Sequence, residues 1–220
     1  MINEKNIAIL KAQLKALGFE DGLEMELRGN ICFTPDRFDI RHREAAEPDA
    51  LDLLLHFEKD PAGGYTCTYY EALLRKQIQV TGAKALEDKM NAIQWMLPPS
   101  RIWREIDAVV SELQKLSETD ERTASLLKAR FWLNTPAEKW IPNLSAIKSQ
   151  FEISQRFYFF EGEIPITIQE AFRFLAMRWL EKQHTARKKE ETKEEESKPD
   201  SDKKHRLLLK KKARKRNGLI

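Results

Sequence analysis

The spacing of apolar residues changes period four times along the chain, and each change predicts a change of element. Ile7, Leu10, Leu14 and Leu17 recur every three to four residues, the mark of one helix face. Asn3 or Asn6 is placed to cap that helix, and Gly18 to stop it. Asp21–Arg28 predicts a second, shorter helix ending at Gly29-Asn30, so helices fill 3–28. The period then becomes two. Phe38, Ile40 and His42 share one face of a strand, and Leu51, Leu53, Leu55 and Phe57 share the face of the next. In the third run, Tyr65, Cys67 and Tyr69 alternate with Thr66, Thr68 and Tyr70. The breaks EPDA and DPAGG hold the Pro, Asp and Gly that tight turns need. Residues 37–75 therefore predict a three-stranded antiparallel meander, with Asp39, Arg41, Asp52, His56 and Glu58 on a solvated face.

Helical spacing returns over 83–149. Leu86, Met90, Ile93 and Leu97 make one stripe, stopped by Pro98-Pro99. Ser100 is placed to cap the next helix, with the stripe Ile102, Ile106, Val109/Val110, Leu113 and Leu116. A third helix is expected between Thr119 and Leu133. Thr135-Pro136-Ala137-Glu138 has the form of a capping box with proline at the first helical position, and leads a short helix to Trp140. One more turn is expected from Asn143 to Lys148. The segment 151–183 then predicts strand, turn and helix. Phe151, Ile153, Phe157 and Phe159 fall on one strand face, interrupted at Gln155. Glu161-Gly162-Glu163 is the turn, and Thr167–Glu170 is a second capping box. Phe157, Phe159, Phe172 and Trp179 are expected in the core.

The expected fold class is α+β: a small antiparallel sheet, made of a three-strand meander and a returning fourth strand, with a helical insertion, packed helices and a disordered basic tail. The body is 1–183 and the tail 184–220. A small α+β domain beside a separate helical one is the alternative.

Charge sharpens that boundary. Net charge is only +3. Yet residues 184–220 hold 14 Lys/Arg against 7 Asp/Glu, while 1–183 hold 24 against 28. A mildly acidic body thus carries a strongly basic end. The stretch 186–204 is almost without apolar side chains and cannot repay the entropy of folding, though its mixed charges could hold a solvated helix to about Glu196. Nine cations follow: Lys203, Lys204, Arg206, Lys210, Lys211, Lys212, Arg214, Lys215 and Arg216, flanking Leu207-Leu208-Leu209. Such a cluster neutralises phosphates and releases counterions, so DNA or RNA is the expected partner. A solubilising tail and attraction to anionic lipid are the other readings.

Little else in the chain suggests chemistry. Two cysteines are too few for a disulfide scaffold. No signal-peptide pattern and no membrane-length apolar run is present, so a cytoplasmic location is expected. His42 and His56 sit on neighbouring strands, and His56-x-Glu58 holds two metal-ligand types, but the other ligands of a zinc site are not nominated. Cys67 lies mid-strand and reads as a small apolar residue rather than a nucleophile. The pair Glu161 and Glu163 reads as a solvated turn rather than an acid–base couple. No phosphate-cradling glycine motif occurs. The aromatics Tyr65, Tyr69, Tyr70 and 157–160 read as packing rather than as a base-stacking platform. The chain is expected to be non-catalytic, with no cofactor and no bound metal.

Three stretches carry a resemblance: NIAILKAQLKALGFEDGL, RFDIRHREAAEPDALDLLLHFEKDPAGGYTCTYYEALL and FEISQRFYFFEGEIPITIQEAFRFL. Together they resemble an uncharacterised family encoded on conjugative elements of gut bacteria. The resemblance implies an accessory or cargo protein of a mobile element. It supplies no catalytic or binding residues. The expected function is a non-catalytic accessory protein whose basic tail binds nucleic acid. The alternative is an adaptor that docks a protein partner through the α+β body.

Overall fold

The computed structural model describes residues 4–19, 21–160 and 164–197. Helix α1 (Glu4–Ala16) turns Ile7, Leu10 and Leu14 inward. It ends in a Schellman motif, with Gly18 at φ +94°. Gly18 N–H donates to the Lys15 carbonyl and Phe19 N–H to the Leu14 carbonyl, both at 3.0 Å. Leu14 and Phe19 are both buried there, so the stop is held by packing as well as by hydrogen bonds. Asn6 is not a cap. It lies inside the helix, where its Oδ1 accepts from Tyr65 N–H and its Nδ2 donates to the Tyr65 carbonyl, each at 2.9 Å. An amide offers that one residue a donor and an acceptor on separate atoms. Asn3 lies outside the described residues.

A 3-10 turn at Asp21–Leu23 leads into α2 (Glu24–Cys32). This helix runs through Gly29-Asn30, where a stop was expected. Gly29 is helical here, and Asn30 Nδ2 donates back to the Glu26 carbonyl at 2.9 Å. The break comes instead at Thr34, whose φ is +49°, just before Pro35.

Strands β1 (Arg37–Ala46), β2 (Asp49–Lys59) and β3 (Tyr65–Arg75) form the expected meander. Strand β4 (Glu152–Tyr158) returns antiparallel onto β3, giving the order β1-β2-β3-β4. The helices between β3 and β4 are therefore an insertion. The β2–β3 turn is tied by Asp60, whose Oδ1 accepts from Gly64 N–H at 2.9 Å. A Cβ at Gly64 would stand 2.7 Å from the other carboxylate oxygen.

One feature of the sheet reverses an expectation. The register of β2 against β3 shifts between His56 and Phe57: Phe57 pairs with Cys67, but His56 pairs with Tyr69. Thr68 is the extra residue of a β-bulge, which inverts the alternation beyond it. Tyr65 and Cys67 are buried as expected. After the bulge Tyr70, Ala72 and Leu74 point inward and Tyr69 turns outward. Tyr70 is fully buried, and its hydroxyl donates to the Ile166 carbonyl at 2.9 Å. The alternation read from the sequence groups Tyr69 with Tyr65 and Cys67 and sets Tyr70 on the other face.

The inner face of the sheet holds Phe38, Ile40, Leu51, Leu53, Leu55 and Phe57. Helix α1 packs on β3 and α2 on β1. The insertion comprises α3 (Lys84–Asn91), a 3-10 turn at Pro99–Arg101, α4 (Trp103–Thr119), α5 (Glu121–Trp132), a 3-10 helix at Pro136–Trp140 and α6 (Leu144–Phe151). It has a core of its own, including Leu86, Met90, Ile106, Leu113, Leu127 and Trp132. The stripe from Leu86 to Leu97 is not one helix. After Asn91 the chain leaves the helix, and Trp95 Nε1 donates to the Met90 carbonyl at 2.7 Å, closing that end. Ser100 lies in the 3-10 turn and caps nothing, since α4 starts three residues later. Asp120 caps α5 by accepting from Thr123 N–H at 3.0 Å. Glu138 accepts from Asn134 N–H at 2.6 Å, one residue earlier than a capping box requires.

The last helix, α7 (Ile168–Ser197), opens with the expected box. Glu170 accepts from Thr167 N–H at 2.8 Å, and Thr167 Oγ1 accepts from Glu170 N–H at 3.3 Å. Ile168 N–H donates to the Leu17 carbonyl at 2.9 Å, anchoring this start to the end of α1. The residues α7 buries are Ile168, Ala171 and Leu175. None of the four expected core aromatics joins them: Phe157, Phe159, Phe172 and Trp179 are all half-buried. Phe157 lies on an edge strand paired on one side only, and on the helix it is Ala171 that is fully buried. The turn at Glu161-Gly162-Glu163 lies outside the described residues.

The chain forms two compact units, Met1–Leu175 and Ala176–Ile220. In the second, the described residues are helical to Ser197 and mostly solvent-exposed. Thr185 and Thr192 hydroxyls donate back to the Glu181 and Lys188 carbonyls, and Lys182 lies over the Trp179 ring.

Candidate functional site

The outer sheet face is the most chemically varied surface of the first unit. The pairings Asp39↔His56, His56↔Tyr69 and Tyr69↔Tyr158 lay one row of side chains across all four strands. His56 Nδ1 is 2.7 Å from Asp39 Oδ1, and its ring stacks on Tyr69 with centroids 4.2 Å apart. Its Nε2 is buried and without a hydrogen-bond partner. Glu71 Oε1 lies 3.9 Å from that atom but accepts from Arg156 Nε at 2.6 Å. Arg156 also lies over the Tyr69 ring. Each charged group of the row is thus engaged by a neighbour, and Tyr69 covers the imidazole. The bulge builds this row, because it turns Tyr69 outward beside His56. Sequence alternation alone missed it. The signal present was Thr-Tyr-Tyr, where two adjacent tyrosines cannot both lie on the apolar face of a regular strand.

His42 does not join His56. It pairs with Leu53 on the other face, where its ring meets Phe19 edge-on and its Nε2 lies 3.2 Å from Glu44. The two histidines of neighbouring strands cannot share an ion. Among the described residues, no three of His, Cys, Asp and Glu converge to hold a metal ion. Burial pushes the Cys67 thiol up to about 12, against a small opposing hydrogen bond from the His56 backbone. It remains a thiol at neutral pH and packs as an apolar side chain. Cys32 is exposed at the end of α2.

Exposed apolar side chains also recur along 158–174. Tyr158, Phe160, Ile164, Ile166 and Phe174 are all exposed, and β4 is the edge of the sheet. Phe157 meets Phe174 edge-on at 5.9 Å. Read from the sequence, the aromatics 157–160 are packing, and none of Ile164, Ile166 and Phe174 is singled out.

Comparison of the chain with protein-family models, curated proteins and solved structures returned no match.

The nine expected nucleic-acid contacts, Lys203, Lys204, Arg206, Lys210, Lys211, Lys212, Arg214, Lys215 and Arg216, lie outside the described residues, as do His205 and the pair Glu161 and Glu163. What the described residues add is where the charge is not. Between His184 and Ser197 there are four Lys/Arg and five Asp/Glu. The positive excess of the C-terminal region therefore belongs to the residues past 197. Among the described residues no helix is long and apolar enough to cross a membrane.

Proposed function

We propose that the chain is a non-catalytic, cytoplasmic accessory protein of a mobile element that binds DNA or RNA electrostatically through residues 203–216. Charge segregation supports this reading. Nine cations fall within 14 residues, next to a helical segment with a small acidic excess and a body that is also mildly acidic. Affinity of this kind tracks phosphate neutralisation, with a log–log salt slope of about −0.9 for each phosphate neutralised on duplex DNA. The full chain should bind duplexes of unrelated sequence alike, and lose affinity steeply with salt. Replacing the nine cations by glutamine, with the chain length unchanged, should remove both binding and salt slope. Binding that survives the replacement rejects the assignment.

A second reading rests on a separate observation, the exposed rings of Tyr158 and Phe160 at the open edge of β4. Exposed edges pair with other chains. On this reading the body is an adaptor for a protein partner. Hydrogen exchange of the bound complex would show β4 amides protected, and Tyr158→Lys with Phe160→Asp would abolish that protection. Protection confined to other elements counts against it.

A further inference from the structure

Helices α4 and α5 form a hairpin that leaves an open cavity beside it. Its volume is about 540 Å³, within the roughly 300–1,000 Å³ usual for small-ligand sites. Three indoles, Trp103, Trp132 and Trp140, make up much of its wall, with Ile106, Val110 and Leu113 between them. Trp132 is almost fully buried and stands edge-on to Trp140, ring centroids 5.8 Å apart. Such a wall favours a flat aromatic body over a branched aliphatic one.

Two donors belong to residues of this wall, and one of them has no acceptor. Trp132 Nε1–H is buried with no hydrogen-bond partner. Solvent does not reach it, so a ligand group that bonds it has to part the indoles. Lys128 lies one turn earlier on α5, on the same face as Trp132. Its only described polar contact is Ser117 Oγ, at a long 3.5 Å. A buried donor left unpaired is costly, and an apolar wall with a partly exposed cation in its lining is complementary to an anion with a ring. The acidic group of the site, Asp107, is exposed and stands ten residues before Ser117 on α4, about 15 Å away along the helix axis.

We propose that this cavity binds a flat aromatic carboxylate, with its ring among the three indoles and its carboxylate on Lys128 Nζ and Trp132 Nε1–H. The site is independent of the C-terminal cations and of the β4 edge. It lies wholly within the insertion, so the accessory role and a ligand-responsive role can coexist in one chain.

Calorimetry on the full chain with 2-naphthoate tests the assignment, with 2-naphthylmethylamine as a comparator of equal ring size. The carboxylate should bind at least tenfold more tightly than the amine. Lys128→Met, which keeps the aliphatic stem, and Trp132→Phe, which keeps a ring but removes the N–H, should each weaken carboxylate binding by about tenfold, the usual scale of a charged hydrogen bond. Val110→Trp, at an exposed position on the cavity wall, should fill the space and abolish binding while the helical circular dichroism is unchanged. The proposal is overturned if the amine binds as well as the acid, if both donor variants bind like the parent, if binding survives Val110→Trp, or if no heat is detected at millimolar ligand.

Discussion

Replacing Asn6 by alanine tests how α1 is fixed to the sheet. Its amide satisfies both backbone groups of Tyr65 at 2.9 Å, and Tyr65 is itself buried. Alanine removes two hydrogen bonds and leaves a donor and an acceptor poorly solvated at the start of β3. Each such orphan costs roughly 1–3 kcal/mol, and partial access of water at the helix surface puts the pair near about 2–3 kcal/mol. With a urea dependence of about 2 kcal/mol/M, the unfolding midpoint should fall by about 1–1.5 M. Asn6→Asp is the sharper variant. One oxygen still accepts from Tyr65 N–H, but the other faces the Tyr65 carbonyl without a proton to share. Its defect should be as large as that of alanine at pH 7 and should shrink as the carboxyl is protonated. Asn30→Ala, which removes one exposed bond on α2, serves as a control and should shift the midpoint by less than about 0.4 M. An Asn6→Ala midpoint indistinguishable from that control would refute the clamp.

Three other outcomes follow from the same geometry. Gly18→Ala should lose about 1–2 kcal/mol in urea unfolding, because a φ of +94° strains any side chain while the nearest atom, Ile168 Cβ, is no closer than 4.0 Å. Iodoacetamide at pH 8 should modify Cys32 in the folded protein and reach Cys67 only after unfolding, as peptide mapping would show; equal labelling of both would mean that the core of β3 is open. The backbone N–H of Thr167, and then its hydroxyl, hold the Glu170 carboxyl below its ordinary value of 4.5. A depressed carboxyl stabilises the fold above 4.5 and loses that contribution as pH falls through its folded value. Glu170→Gln should therefore flatten the acid limb of the stability curve below pH 4.5, and an unchanged limb would show that the box contributes nothing.

The local elements were legible because their signals are local. The α1 face, the Gly18 stop, the Thr167–Glu170 box and the strands of 37–75 each follow from spacing or from turn chemistry that needs no distant partner. The return of β4 to the meander was legible for a different reason: a strand with apolar residues on both faces requires a neighbour, and the meander had a free edge. The caps were less legible. Asn6 and Ser100 have the right chemistry for helix starts, but an asparagine or serine will serve whichever backbone group the fold brings near. For Asn6 that group was Tyr65, 59 residues away.

What the tertiary structure alone decided is the direction of side chains where a regular period breaks. One extra residue, Thr68, exchanges the roles of Tyr69 and Tyr70, so the buried hydroxyl and the outer row with His56 both depend on a register that no window of β3 contains. The same limit applies to Phe157, Phe159, Phe172 and Trp179. Hydrophobicity states that a side chain gains by burial, but an edge strand and an amphipathic helix offer only partial cover. The charge asymmetry of the chain, by contrast, is a property of composition. It needs no coordinates, and the sequence alone places it in residues 184–220.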